Sequence, residues 1–186
     1  MLNAGHGSNL AALIRAIHDA PPRLVYAFTG AGSLALHQLH AVAGSSRTVL
    51  EAVDCYAPRS LAALVGGPPA QAVSTATAEA LAAWAWQRAA VLAEAPWPLL
   101  GVGCTAAIAT DRVRRGADRA VVAVRSATAR WHYDLQLARG QRARADEEAL
   151  VSRLVILAIA AACGLAAVTL ELGPDETLQA TVAEGV

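Results

Sequence analysis

The first chemical suggestion in this sequence comes from five small residues. Thr29-Gly-Ala-Gly-Ser33 follows an apolar run, Leu24-Val-Tyr-Ala-Phe28, and precedes a segment of helical periodicity. Small side chains let the backbone approach a ligand, and the free N–H groups that open a helix can hold a phosphate or a carboxylate. The turn lacks the third glycine of a dinucleotide fingerprint, and it is not a nucleophile elbow. Its plain reading is a tight strand-to-helix turn that needs glycine. Thr105 repeats the arrangement after Gly101-Val-Gly-Cys104, as a ligand contact or simply as a cap. Tyr56 follows a third apolar run, with a half-buried ring and a wet hydroxyl as its ordinary reading. Two arginine clusters, Arg112, Arg114 and Arg115, and Arg139, Arg142 and Arg144, sit in polar loops. Such charges are usually solvated, but one guanidinium reaching over a cleft can grip a phosphate through two hydrogen bonds.

Other chemistry is excluded or unsupported. All 15 basic residues are arginine, so no mechanism can use a lysine: no Ser-Lys dyad, no Schiff base, no phosphate-binding lysine. His37 and His40 are spaced to share a helix face, but no third ligand fits, and His6, His18 and His132 are isolated. No metal and no cofactor are expected. Cys55, Cys104 and Cys163 read as buried, reduced thiols, because no base is identifiable to activate any of them.

The chain has 186 residues, no net charge, 55% hydrophobic and only 4% aromatic residues. One domain is expected over residues 1–186, with a core of Ala, Leu and Val. Charged residues are 16%, against roughly 25% in an average soluble domain. That shortage suggests apolar surface covered by a second copy, so a homo-oligomer is expected. Neutrality argues against nucleic acid as a partner. The N-terminus has neither the basic start nor the apolar run of a signal peptide. Leu154–Leu170 is slightly short for a membrane span, which takes about 20 residues, and reads as a buried helix. A cytoplasmic location, with no membrane partner, is the expectation.

These residues need elements to position them. A first helix capped by Ser8 or Asn9 ends at Pro21-Pro22. Strands are expected at 24–28, 48–53 and 99–102, the last ending in Gly103-Cys104-Thr105. Helices are expected from Ser33 to Gly44, from Pro58 to Gly66, from Ser74 to about Ala93, and from about Asp146 to Cys163. Segments 119–125 and 130–137 alternate as an antiparallel pair, and 168–182 reads as a small hairpin around Gly173-Pro174-Asp175. Strands alternating with helices imply a three-layer α/β/α sandwich with a mixed sheet. Ligands in such sheets sit beyond the carboxyl ends of strands, which directs attention to 29–33, 55–59 and 103–106.

The order of motifs resembles a known family. Gly32-Ser-Leu-Ala-Leu-His-Gln-Leu-His-Ala-Val-Ala-Gly-Ser-Ser46 is similar to the pattern G-G-L-L-A…V-P-G-A-S of the CinA C-terminal domain, a family that includes nicotinamide-nucleotide amidases. Val53-Asp-Cys-Tyr56 with Leu64-Val-Gly66 resembles V-V-A-Y-S…L-L-G. Gln71-Ala-Val-Ser74 resembles G-A-V-S, Gly101-Val-Gly-Cys-Thr105 the strand leading to V-T-G, and Arg144-Ala-Asp-Glu-Glu148 the segment G-D-R-E. The resemblance covers about residues 23–165 and leaves 166–186 as a short tail. A CinA-like domain that precedes a nucleotidylyltransferase-like domain in some two-domain eukaryotic proteins looks similar too.

The resemblance implies a three-layer α/β fold, oligomeric assembly, and a cleft for a small nucleotide-like molecule. In active members a serine helped by a lysine opens nicotinamide mononucleotide to nicotinate mononucleotide and ammonia, a nucleophilic acyl transfer. Matched residue by residue, the family serine falls on Thr29, its glutamate on Phe28, the second glycine of its pair on Ser33, and its lysine on Leu61. Two readings follow. In one, the chain is an amidohydrolase with an altered site: Thr29 is the nucleophile, Tyr56 relays protons and Thr105 contacts substrate. Gly30, Gly32, Ser33 and Ser46 then line the ligand, and Arg144 clamps its phosphate. In the other, the cleft only binds a nucleotide or related metabolite.

Overall fold

The computed structural model describes residues 4–111, 116–165 and 170–184. Helix α1 (Ala4–Asp19) leads into strand β1 (Arg23–Thr29), helix α2 (Ser33–Ala41), strand β2 (Val49–Asp54) and helix α3 (Pro58–Val65). Then come helix α4 (Thr75–Leu92), strands β3 (Leu99–Ala107), β4 (Asp118–Arg125) and β5 (Ala129–Leu137), helix α5 (Arg144–Ala162) and strand β6 (Thr177–Glu184). The six strands form one mixed sheet in the order β2-β1-β3-β4-β5-β6. The neighbours β2, β1 and β3 run parallel, and the β3-β4-β5-β6 half is antiparallel. The three-layer α/β sandwich expected from the pattern is the observed fold.

The period-2 alternation of β1 and β3 sorts the layers. Leu24, Tyr26 and Phe28, with Leu100, Val102, Cys104 and Ala106, enter the larger core beneath α1, α2 and α5. Val25 and Ala27 point the other way, into a cluster with Leu61 of α3 and Leu81, Ala85 and Ala89 of α4. Helix α5 is apolar nearly all round, from Leu150 to Ala160, as a helix fully enclosed by protein must be. Among the described residues no helix is long and apolar enough to cross a membrane. The membrane candidate therefore resolves into α5, though residues 166–169 lie outside the described residues.

Three expectations need correction. Helix α1 begins at Ala4, upstream of the cap expected at Ser8 or Asn9. Strand β3 does not stop at Val102 but continues to Ala107, so Gly103-Cys104-Thr105 is strand and not turn. Its glycines are there for the helix above: a Cβ on Gly101 would lie 2.1 Å from the Ala82 carbonyl oxygen, and one on Gly103 2.3 Å from that of Ala78. Helix α4 thus rests directly on the backbone of β3. Finally, among the described residues the tail makes one strand rather than a hairpin: β6 pairs antiparallel with β5 at the sheet edge, and residues 168–169 of the expected hairpin lie outside the described residues. The turn expected at Pro174-Asp175 is present.

Candidate functional site

At the carboxyl end of β1 the chain turns through Gly30 (φ 84°) and Gly32 (φ 106°). Both positions require glycine. A Cβ on Gly30 would collide with the Ala106 carbonyl oxygen at 1.9 Å, and one on Gly32 with the Tyr26 hydroxyl at 2.3 Å. Tyr26 is fully buried, stacks on Phe28 at 4.7 Å between ring centroids, and donates its hydroxyl proton to the Gly32 carbonyl at 3.1 Å. Burial holds that phenol well above its usual range.

The N-terminus of α2 does attract an anion, and the chain supplies it. Glu148 on α5 accepts from the Gly32 N–H at 3.1 Å, the Leu34 N–H at 3.0 Å and the Ser33 hydroxyl at 3.0 Å. The Ser152 hydroxyl adds a fourth donor at 3.2 Å. The sequence places Glu148 among charges leading into a helix. Its docking more than a hundred residues back along the chain leaves no local periodic signal. Asp54, at the end of β2, has its pKa raised by partial burial and then by the charge of Glu148.

A cleft of about 750 Å³ opens beside this turn, lined by Gly30, Tyr56, Ala106, Ile108, Asp111 and Arg144, among others. Tyr56 is 66% exposed. Arg144, at the first position of α5, donates to the Ala109 carbonyl at 2.7 Å. The buried Glu147 accepts from the N–H of the same residue at 2.5 Å. One turn of α5 therefore grips both polar groups of Ala109 and fixes Arg144 at the cleft wall. The other loop arginines are engaged elsewhere: Arg142 pairs with the buried Glu176 at 2.7 Å, and Arg139 donates to the Gly116 carbonyl. Arg112, Arg114 and Arg115 lie outside the described residues.

Of the residues singled out from sequence, Gly30, Tyr56 and Arg144 line this cleft together. Thr29 and Thr105 are register partners on β1 and β3, each one residue before a wall residue, Gly30 and Ala106. The Thr105 hydroxyl donates to the Ala72 carbonyl at 2.5 Å, a structural bond. Thr29 is 8% exposed and, by strand alternation, continues the face of β1 from which Val25 and Ala27 enter the cluster with Leu61. Gly32 and Ser33 are committed to Glu148. Ser46 is not brought to the group at all. It precedes β2, and its carbonyl faces Arg23 at the opposite end of β1, roughly 20 Å away at about 3.3 Å per strand residue.

The thiols are set for packing. Burial pushes Cys55 up to about 11 and Cys104 to about 12. The Cys55 thiol donates to the Phe28 carbonyl at 3.2 Å. His40 Nδ1 shares a hydrogen bond with the Ser45 hydroxyl at 2.7 Å. Among the described residues no three His, Cys, Asp or Glu side chains converge as a metal site.

No family model matches the sequence, and no curated protein matches it. Solved structures do. A competence/damage inducible protein, CihA, from Agrobacterium tumefaciens is 20% identical, with 88% of this chain and 98% of that one covered and a TM-score of 0.61. A competence or damage-inducible protein from Enterobacter asburiae is 14% identical over 85% and 96%, with a TM-score of 0.63. A competence-damaged protein (CinA) superfamily protein from Enterobacter cloacae is 17% identical over 88% and 97%, with a TM-score of 0.57. The chain has the fold of these CinA-type structures, a six-stranded mixed sheet between two helical layers.

Proposed function

We propose that the cleft beside Gly30 binds a small nucleotide-like anion and that the chain works as a binding module of the CinA fold. The supporting observation is the division between wall groups and buried hydroxyls. Tyr56 and Arg144, the groups suited to recognition, face the cleft. The hydroxyls suited to acyl transfer belong to the buried Thr29 and Thr105, with that of Thr105 already donated to Ala72. An exposed tyrosine ring offers a stacking face for a heterocycle. Arg144 makes one hydrogen bond among the described residues, which leaves guanidinium donors for a phosphate. Asp111, on the same wall, accepts the hydroxyl protons of a sugar. The test is calorimetry with nicotinamide mononucleotide on the native chain. Saturable heat that Arg144→Ala weakens about tenfold is expected, and no heat with any nicotinamide nucleotide overturns the reading.

A second reading, amide hydrolysis of nicotinamide mononucleotide through Thr29, has one observation in its favour. Thr29 ends β1 directly before Gly30 and remains 8% exposed, within one residue of the cleft wall. It predicts ammonia release that Thr29→Ala abolishes and Thr29→Ser keeps. Ammonia no higher than in an enzyme-free blank removes it.

A further inference from the structure

A second cavity lies away from this cleft, on the face of the sheet covered by α4. It holds about 340 Å³ between Ala76, Ala80 and Ala83 of α4 and Arg125, Arg130 and His132 of β4 and β5. Arg125 and Arg130 are register partners in the antiparallel ladder, so their side chains leave the sheet on the same side. Like charges placed directly opposite one another destabilise a sheet unless something neutralises them. The one carboxylate on the wall, Glu79, is already paired with His132 at 2.8 Å. Neither arginine has an acidic partner among the described residues.

One wall residue, Arg125, carries an orphaned donor, and Trp86, which touches Arg125 from outside the lining, carries a second. The Arg125 guanidinium carbon lies 5.2 Å from the centre of the Trp86 ring, a cation–π contact. Its Nε and the indole Nε1 of Trp86 are both buried without a hydrogen-bond acceptor. Native proteins leave few buried donors unsatisfied, and each calls for a specific explanation. Both atoms need an acceptor, and both neighbouring arginines need negative charge. Beside Glu79, the opposite wall presents methyl groups: Ala76, Ala80 and Ala83 fall at i, i+4 and i+7, on one helix face.

The geometry points to a second ligand site here, for a small organic oxyanion whose charged head sits between Arg125 and Arg130 and whose apolar remainder lies on the alanines of α4. Phosphate esters and carboxylates share that chemistry, and arginine binds either through paired N–H groups. The site does not depend on the cleft at Gly30, because it shares no wall residue with it.

The test titrates the full chain with phenyl phosphate, with benzoate, and with inorganic phosphate as the bare anion. The ¹⁵N-resolved Nε–H signal of Arg125 and the indole signal of Trp86 report. Saturable shifts of both with phenyl phosphate or benzoate are expected, tighter than with inorganic phosphate, and the tighter of the two identifies the head group. Arg130→Gln, a change at an exposed position, should weaken binding about tenfold, whereas Arg144→Ala should leave it unchanged. Shifts that never saturate, or binding that Arg130→Gln leaves intact, overturn the proposal.

Discussion

The turn at the start of α2 and the cavity under α4 both gather donors, and they resolve that condition in opposite ways. At Gly32-Ser33-Leu34 the donors converge on Glu148, brought from α5. At Arg125 and Arg130 the fold brings two positive charges together and leaves the acceptor out. A cluster of donors therefore points to an external ligand only after the chain's own acceptors have been counted. The turn that offered helix N–H groups to an anion in the sequence is closed by an internal anion, and the pair that only strand register brings together is open.

The largest expected effect strikes the closed site. Glu148→Ala strips the acceptor from two backbone N–H groups and two hydroxyls, at a cost of about 3 kcal/mol in urea unfolding. The emptied turn should then take phosphate, which restores part of the loss by binding the native state. Stability within about 0.5 kcal/mol of the native chain would show that the turn was never dependent on its carboxylate.

His18 extends the closed class to a titrating group. Its Nε2 donates to the Leu39 carbonyl at 2.9 Å, so Nδ1 is the acceptor for the Thr48 hydroxyl at 2.8 Å, and the ring is neutral. Burial lowers its pKa below 6.5. The unfolded chain then takes up a proton near pH 6.5 while the folded chain resists until lower pH, so stability falls as pH drops through that window. The urea midpoint should be lower at pH 5.5 than at 7.5, with the difference reduced in His18→Gln. Glu51, Asp134 and Glu176, whose pKa values are lowered by arginine partners, lose their contribution only below about pH 4.5. The two windows stay separate.

The open site should respond with the opposite sign. Without ligand, Arg130→Met removes a like charge facing Arg125 and should stabilise the chain by up to about 1 kcal/mol. A loss instead would mean that the pair is already neutralised. The smallest effect on stability belongs to the cleft. Tyr56→Ala at a 66% exposed position should change unfolding by no more than about 0.5 kcal/mol while weakening nucleotide binding measurably.

These contrasts explain how much could be read from the chain. The sandwich and most elements were legible because apolar periodicity records which face of a strand or helix meets the core. Thr29, Gly30 and Tyr56 were legible as neighbours because strand ends in such sheets share one edge, and Arg144 because a loop arginine can reach over such an edge. The closure of the α2 turn was not, because Glu148 and Gly32 are joined by topology and not by spacing. Gly103 read as the end of a strand because a sequence cannot distinguish a glycine that bends the chain from one that admits a helix. The Arg125–Arg130 pair was invisible for a related reason. Each residue ends its own alternating run, and only the register of β4 against β5 places them face to face.

The contact of α4 with β3 has a mechanical consequence. Side chains between a helix and a sheet act as a compressible layer that lets the helix slide by a fraction of an ångström. Over Gly101 and Gly103 that layer is missing, and helix backbone meets strand backbone. Helix α4 is thereby locked along its length, a stiff partition with one cavity between its alanines and the sheet and one cleft ahead of its first turn. An occupant on either side meets a wall that does not shift to report the other, so the two sites should fill without cooperativity.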